Sequence, residues 1–291
     1  MKPNPKFLTQ PPEFWANVKL ISQKLGYTDR ATKQIKVPTL DAIVNSYDGD
    51  GLVTSELRNN EGNTAFANLL LAYFEHRANV LNTVVEPQLM NVTQAAALFE
   101  QLFRQYNPPK RLLPMNKQKG PKQTYAYFTS IINMLIEANC QGYTVNYDPR
   151  LLTSFTRRGL PVRTLSRRVD GAFPDTINPV AIWEIKEYYY TTTFGSRVAD
   201  GVYETLLDGL ELKEAEESLN VPVGHYLMID DHFTWWDCGR SCLCRIIDIL
   251  HMGLVTEVLF GSEVVERIPS LVSEWIETAH ANGISLNRQI H

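Results

Sequence analysis

Three residues in the middle of the chain have the types and the spacing of a site for a divalent cation. Glu184 and Lys186 alternate with apolar residues in the segment 181–186, which reads Ala-Ile-Trp-Glu-Ile-Lys. Successive side chains of a strand point to opposite faces, so Glu184 and Lys186 point the same way. Asp170 belongs to the preceding run of strand character, 167–173. We expect the three to converge, because two carboxylates and an ammonium suit a hard cation and a water molecule.

The order of these residues resembles the signature of the PD-(D/E)xK nuclease superfamily. In that signature an acidic residue ends one strand, and an acid-x-lysine triplet lies on the adjacent strand of the hairpin. Here Asp170 is the first acid and residues 184–186 are the triplet. The literal pair Pro174-Asp175 lies in the turn, and we prefer Asp170 because its neighbours have strand character. The resemblance covers roughly residues 124–260.

The resemblance implies a role for each residue in cleaving a phosphodiester bond. Asp170 and Glu184 would hold Mg²⁺ together with the carbonyl oxygen of Ile185, and the metal would lower the pKa of its bound water. Lys186 would orient that water or stabilise charge on the phosphate. Many members add a carboxylate from the preceding helix, which is Glu137 here. The alternatives are a cross-strand ion pair for the first group and a solvent-facing glutamate at position 137.

Basic residues precede the proposed site in two groups. Five arginines lead into Asp170, and they are Arg157, Arg158, Arg163, Arg167 and Arg168. Guanidinium groups pair with phosphate oxygens and with guanine edges in the major groove. The Pro-rich segment 107–122 carries Lys117, Lys119 and Lys122, which we expect to contact phosphates. A basic surface loop and a solvated linker are the alternatives.

Composition narrows the class of protein. The net charge of −4 excludes a uniformly basic nucleic-acid coat but allows a local basic cleft. The cysteines Cys238, Cys242 and Cys244 have neither the spacing of a common zinc site nor that of a secreted disulfide framework. The chain begins without the apolar run of a signal peptide, and no apolar run is long enough for a membrane span. We therefore expect a cytoplasmic protein without membrane association.

Hydrophobic periodicity predicts the elements that position the site. Helical spacing fills the first part of the chain, and we assign 1–106 as a helical N-terminal subdomain for DNA recognition or dimerisation. A helical unit that merely packs on the main core is the alternative. From residue 124 the order of helices and strands predicts an α/β (mixed α+β) fold with a mixed five-stranded sheet flanked by helices. The resemblance implies a restriction-endonuclease-like nuclease core over 107–291.

These observations predict a Mg²⁺-dependent deoxyribonuclease, similar to type II restriction endonucleases, that cleaves double-stranded DNA at a specific short site. Such enzymes are prokaryotic, and those that act on palindromic sites are usually dimers, so we expect a homodimer. No GxxxxGK[ST] motif is present, so we expect no nucleotide cofactor. The alternatives are a phage-defence or repair nuclease of the same fold without strict specificity, a nuclease that acts on RNA, and a non-catalytic DNA-binding protein.

Overall fold

The computed structural model describes residues 1–29, 31–60, 62–108, 125–190 and 195–288 of the chain. The α-helices in these ranges are α1 (Pro5–Leu8), α2 (Pro12–Leu25), α3 (Leu40–Gly49), α4 (Ala65–Asn79), α5 (Val92–Tyr106), α6 (Tyr127–Asn139), α7 (Ser196–Leu219), α8 (Arg240–His251) and α9 (Val264–Ala281). The strands are β1 (Arg58–Asn59), β2 (Gly62–Asn63), β3 (Ser154–Arg157), β4 (Leu160–Thr164), β5 (Gly171–Phe173), β6 (Ala181–Glu187), β7 (Gly224–Asp230) and β8 (Glu257–Phe260). Short π-helices follow α4 at Val80–Val85 and precede α8 at Phe233–Cys238, and 3₁₀ turns lie at Glu86–Gln88 and Gly261–Glu263.

A four-stranded mixed sheet in the order β5-β6-β7-β8 forms the centre of the fold. Strand β5 runs antiparallel to β6, whereas β6, β7 and β8 are parallel to one another. Parallel neighbours need a crossover connection, and α7 and α8 supply the two crossovers. Strands β3 and β4 form a separate antiparallel hairpin just before the central sheet. The sheet therefore begins with the hairpin of β5 and β6, which carries the predicted site.

Strand β6 is buried because helices cover the sheet on both faces. On one face Trp183 stacks on Trp275 of α9 with ring centroids 5.3 Å apart, in an apolar cluster shared with α5 and α6. On the other face Ile182 packs against Leu212 of α7. A parallel strand covered on both sides is expected to be almost wholly apolar. The charged residues of β6 are exceptions to that rule and require partners inside the protein.

The N-terminal helices form a unit around their own apolar core, built from α2, α3 and α4. This unit is fixed to α8 by a buried polar contact. Arg77 Nη1 donates to Asp248 Oδ1 at 3.0 Å, and the Tyr73 hydroxyl donates to the same oxygen at 2.6 Å. Removing one member of such a buried pair leaves the other charge without compensation. The contact therefore joins α4 to α8 through buried charged groups.

The structure confirms a mixed α/β protein with a helical N-terminal region, and it corrects the size of the sheet. Five strands were expected, but the central sheet of the described residues has four. The segment 143–147 makes only single bridges, between Asn146 and Ala172 and between Tyr143 and Arg288. Its apolar side chains pack against the cluster between α6 and α9 instead of extending a ladder.

Helix α5 ends at Tyr106, at the end of the predicted N-terminal subdomain, and its side chains Phe99 and Leu102 pack in the same cluster as α6 and α9. The division at 106/107 stays a prediction. Lys117, Lys119 and Lys122 lie outside the described residues. Within the described ranges, none of the helices combines the length and the apolar character that crossing a membrane requires.

Candidate active site

The hairpin of β5 and β6 brings Asp170 and Glu184 opposite each other. Gly171 pairs with Trp183, and the Asp170 N–H donates to the Trp183 carbonyl oxygen at 3.1 Å, which extends the register by one residue. Opposed side chains of an antiparallel pair lie on the same face. The Ile185 N–H also donates to Asp170 Oδ2 at 2.8 Å. The two carboxylates therefore share the face of β6 that also carries the side chain at position 186.

Gly171 permits this arrangement because the Trp183 indole lies directly over it. A Cβ atom at Gly171 would come within 2.0 Å of the indole ring, so a side chain there would displace the tryptophan. Trp183 is in turn held by its stacking on Trp275. Gly171, next to Asp170, thus makes room for the Trp183 ring on one face of the hairpin, while the charged side chains lie on the other face.

Glu184 and Lys186 form a buried ion pair on that charged face. The Glu184 side chain is 0% exposed, and Lys186 Nζ lies 3.0 Å from Glu184 Oε2. Lys186 Nζ also donates to Glu204 Oε2 of α7 at 2.6 Å. Burial opposes both charges, but Lys186 and Arg167 lower the pKa of Glu184, and Glu184 and Glu204 raise the pKa of Lys186. Both side chains are therefore charged at neutral pH.

Arg167 binds the same glutamate through both of its terminal nitrogens. Its Nη1 lies 2.9 Å from Glu184 Oε1, and its Nη2 donates to Glu184 Oε2 at 3.0 Å. This is the fork arrangement that makes arginine–carboxylate pairs strong. Nη1 also donates to Asp208 Oδ2 at 2.6 Å, and Nη2 lies 3.4 Å from Glu204 Oε2. A residue predicted to contact DNA is thus a central cation of the site.

Helix α7 supplies acidic residues that the sequence analysis did not assign. Glu204, Asp208 and Glu211 are four and three residues apart, so they share one side of the helix. Glu211 accepts from the Ser166 N–H at 2.8 Å and pairs with Arg163 Nη2 at 2.9 Å. Their helical spacing is a signal that the sequence contains. Which side of α7 meets the sheet, however, depends on tertiary packing.

Negative groups outnumber positive groups in this cluster. Its carboxylates are Asp170, Glu184, Glu204 and Asp208, and its cations are Arg167 and Lys186. Burial and then the Glu184 carboxylate raise the pKa of Asp170 to about 6 and that of Asp208 to about 7. Asp170 is exposed to solvent, and its Oδ2 accepts from the Ile185 N–H. A divalent cation that entered from solvent would balance the excess negative charge.

The hydrogen bonds indicate which oxygens could hold a metal ion. Glu184 Oε1 is buried without a hydrogen bond, although Arg167 Nη1 lies close to it as an ion-pair partner. Asp170 uses Oδ2 for the Ile185 amide, which leaves Oδ1 for a further ligand. The carbonyl of Ile185 points to the same edge of the strand as its N–H. These hard oxygen donors fit Mg²⁺, which keeps several water ligands.

Few side chains at this site could bind a metal ion. Among the described residues, no group of three or more His, Cys, Asp or Glu side chains has the spacing of a metal site. The ligand set of Asp170, Glu184, the main-chain carbonyl of Ile185 and water stays a prediction. Cys238 is exposed, and Cys242 and Cys244 are buried in α8 as free thiols.

The structure does not bring Glu137 to the two carboxylates. Helix α6 packs on the Trp183 face of the sheet, which is opposite the Glu184 face. The Thr129 N–H, at the start of α6, donates to Glu187 at the end of β6 at 2.9 Å. The helix therefore runs back along the strand, and Glu137 lies near its far end, half-buried.

The arginines predicted to contact DNA divide into two groups. Arg163 and Arg167 are held in ion pairs with carboxylates of β6 and α7. Arg157, Arg158 and Arg168 are exposed. The first two lie at the tip of the hairpin of β3 and β4, where the backbone turns through positive φ. Only the exposed group can meet a phosphate without breaking existing contacts.

Comparison with known families divides the chain into two matched regions. The family described as "Domain of unknown function (DUF7687)" matches residues 90–275, and the chain belongs to that family. The family described as "Domain of unknown function (DUF7690)" matches residues 1–84. No curated protein and no solved structure matches the chain. The function is therefore inferred from the geometry of the site.

Proposed function

We propose that this protein is a Mg²⁺-dependent endonuclease that cleaves double-stranded DNA at a specific short site, in the manner of type II restriction endonucleases. One observation carries the proposal. Asp170 lies opposite Glu184 at the solvent-open start of β5, and Lys186 Nζ is 3.0 Å from Glu184 on the same face. This is the arrangement of charges that a PD-(D/E)xK nuclease needs.

Each residue has a chemical task in that reaction. Asp170, Glu184 and the carbonyl of Ile185 would hold the metal, which lowers the pKa of a bound water and neutralises phosphate charge when bound. Lys186, kept charged by its carboxylate partners, would position the attacking water or stabilise the phosphate oxygens. Asp170 must be ionised to bind a cation, so its raised pKa of about 6 predicts weaker metal binding in acid.

The hairpin of β3 and β4 is the surface best suited to contact DNA. A two-stranded ribbon fits the major groove of B-DNA. The tip of this ribbon exposes Arg157, Arg158 and the side chain of Leu160, which is 71% exposed. The chain runs from β4 to Asp170 within six residues, so DNA bound by the ribbon would lie near the carboxylates. Two copies of the chain would present a site to each strand, which favours a homodimer.

Digestion of a supercoiled plasmid tests the proposal. With Mg²⁺ the wild type should give discrete fragments, and EDTA should abolish cleavage. Asp170→Ala and Lys186→Ala should retain DNA binding in a gel-shift assay and lose cleavage. Lys213→Ala, which changes an exposed lysine of α7, is the matched control and should cleave like the wild type. If the wild type leaves plasmids of varied sequence intact, the proposal is wrong, and a smear would favour a nuclease without strict specificity.

A non-catalytic DNA-binding protein is the second candidate, and one observation favours it. Lys186 and Glu184 already have ion-pair partners in Glu204 and Arg167, so the cluster could serve stability alone. In that case the wild type should bind DNA without cleaving it under any divalent cation. Lys186→Ala should then lower the free energy of unfolding and leave DNA affinity unchanged.

A further inference from the structure

Arg167 occupies the carboxylate that the proposed function assigns to the metal. Its two terminal nitrogens lie 2.9 Å and 3.0 Å from the two oxygens of Glu184. A metal ion ligated by Glu184 Oε1 would lie close to Arg167 Nη1, which is 2.9 Å from the same oxygen, and two cations at so short a distance repel each other strongly. We therefore expect metal binding at Glu184 to displace Arg167 from that oxygen.

The structure offers the guanidinium a second carboxylate. Arg167 Nη1 already donates to Asp208 Oδ2 at 2.6 Å, and the Asp208 side chain is 0% exposed. Asp208 Oδ1 is buried and has no hydrogen-bond partner. A buried carboxylate oxygen without a donor is costly, and a small rotation of the guanidinium toward Asp208 would satisfy it. The fork of Arg167 would then engage Asp208 instead of Glu184.

We propose that Arg167 is a positioning residue that exchanges between two carboxylates: it holds Glu184 in the metal-free protein and moves onto Asp208 when a divalent cation binds Glu184. This inference rests on the proposed function, because it assumes that Glu184 is a metal ligand. The exchange keeps the guanidinium paired in both states, so no buried charge is left alone. The exchange also sets the metal affinity, because the metal ion competes with the guanidinium of Arg167 for Glu184.

Binding of Mn²⁺ to the protein without DNA tests the exchange by a readout other than cleavage. Mn²⁺ accepts the same carboxylate, carbonyl and water ligands as Mg²⁺. Isothermal calorimetry should show that Arg167→Ala binds Mn²⁺ about tenfold or more tightly than the wild type, because a charge-assisted competitor is gone. Asp208→Asn should bind it more weakly, because Arg167 loses the carboxylate that receives it.

Two further variants separate exchange from a general change in charge. Arg167→Lys keeps the positive charge but cannot cover both oxygens of Glu184, so its Mn²⁺ affinity should still exceed that of the wild type. Arg163→Ala removes an arginine that pairs with Glu211 and Glu214 of α7, the helix that also carries Asp208. The Mn²⁺ affinity of this variant should match that of the wild type. Arg167→Lys also serves if Arg167→Ala fails to fold.

The possible outcomes are distinguishable. If the wild type binds Mn²⁺ and cleaves DNA, but Arg167→Lys and Arg167→Ala bind the metal no more tightly than the wild type, the exchange is wrong and the nuclease proposal stands. Equal gains in Arg163→Ala and Arg167→Ala would also overturn the exchange, since only net charge would matter. If the wild type neither binds Mn²⁺ nor cleaves DNA, both proposals fail together.

Discussion

Strand β6 carries a glutamate on each of its faces, the buried Glu184 and the half-buried Glu187, and the two have opposite neighbours. Glu184 lies between the cations Lys186 and Arg167. Glu187 accepts instead from the Thr129 N–H at 2.9 Å and from the Thr129 hydroxyl at 2.8 Å. None of the ion pairs described by the structure involves Glu187. The same residue type on one strand is thus surrounded by charge on one face and by neutral donors on the other.

This difference determines which glutamate carries a charge. Burial acts against ionisation in both, but the cations lower the pKa of Glu184, whereas burial raises the pKa of Glu187 to about 7 despite its donors. Asp230, its neighbour in the parallel register, also has a pKa of about 7 and accepts from the Met90 N–H and the Tyr189 hydroxyl. One face therefore gathers ionised side chains, and the other joins chain segments.

The largest expected effect is a difference in DNA cleavage rate between substitutions on the two faces of β6. Glu184→Gln removes a proposed metal ligand and leaves Lys186 and Arg167 facing an uncharged amide, so the cleavage rate should fall by about 100-fold or more. Glu187→Gln makes the same chemical change on the opposite face and should keep the rate within about threefold of the wild type. Both rates are measured on plasmid with saturating Mg²⁺. Equal losses in the two variants would show that the faces do not have separate roles.

The second effect concerns the packing that separates the faces. Gly171→Ala places a Cβ atom within 2.0 Å of the Trp183 ring and should lower the free energy of unfolding by about 3 kcal/mol or more. Gly201→Ala, on α7, meets Lys186 and Tyr188 only at 3.5 Å, so it should be neutral or stabilising by up to about 1 kcal/mol. Urea unfolding measures both values. A Gly171→Ala variant as stable as Gly201→Ala would contradict the described contact.

The sequence was sufficient to predict the charged face because its geometry is local. Strand periodicity places Glu184 and Lys186 together, and a short hairpin is enough to bring Asp170 opposite them. Apolar spacing also predicted the helical N-terminal region, in which α2, α3 and α4 form. These features depend on residues that are near one another in the chain.

The remaining features of the site depend on contacts that periodicity cannot supply. Arg167 looked like a phosphate ligand because its partners Glu204 and Asp208 come from a helix about 40 residues later. The position of Glu137 depends on the direction of α6 across the sheet, which apolar spacing leaves open. The hairpin of β3 and β4 was missed because its burial pattern is mostly exposed, so it has little hydrophobic alternation.

The contributions of the two glutamates to the free energy of unfolding should change with pH in opposite directions. Glu187 has a folded pKa of about 7 against 4.5 for a free glutamate, so its contribution is full below pH 4.5 and is lost as the pH rises through about 7. The lowered pKa of Glu184 gives a contribution that is present above the ordinary glutamate pKa and is lost in acid. Glu187→Gln lacks the loss that Glu187 causes as the pH rises. The difference in the free energy of unfolding between Glu187→Gln and the wild type should therefore shift in favour of the variant, by on the order of 1 kcal/mol, when the pH is raised from about 5 to about 8. Urea unfolding of both proteins at the two pH values measures this shift, and an equal difference at both pH values would contradict the prediction.

The smallest effect isolates one hydrogen bond of the neutral face. Thr129→Val removes the hydroxyl that donates to Glu187 Oε2 while keeping the shape of the side chain, and it should lower the free energy of unfolding by about 1 kcal/mol. Thr129→Ser keeps the hydroxyl and is the matched control, with a smaller loss. Cleavage should be unchanged in both, because Thr129 contacts the face opposite Glu184. A fall in cleavage by Thr129→Val without a matching fall in stability would mean that the end of β6 transmits its position from one face to the other, and Glu187 would then belong to the site.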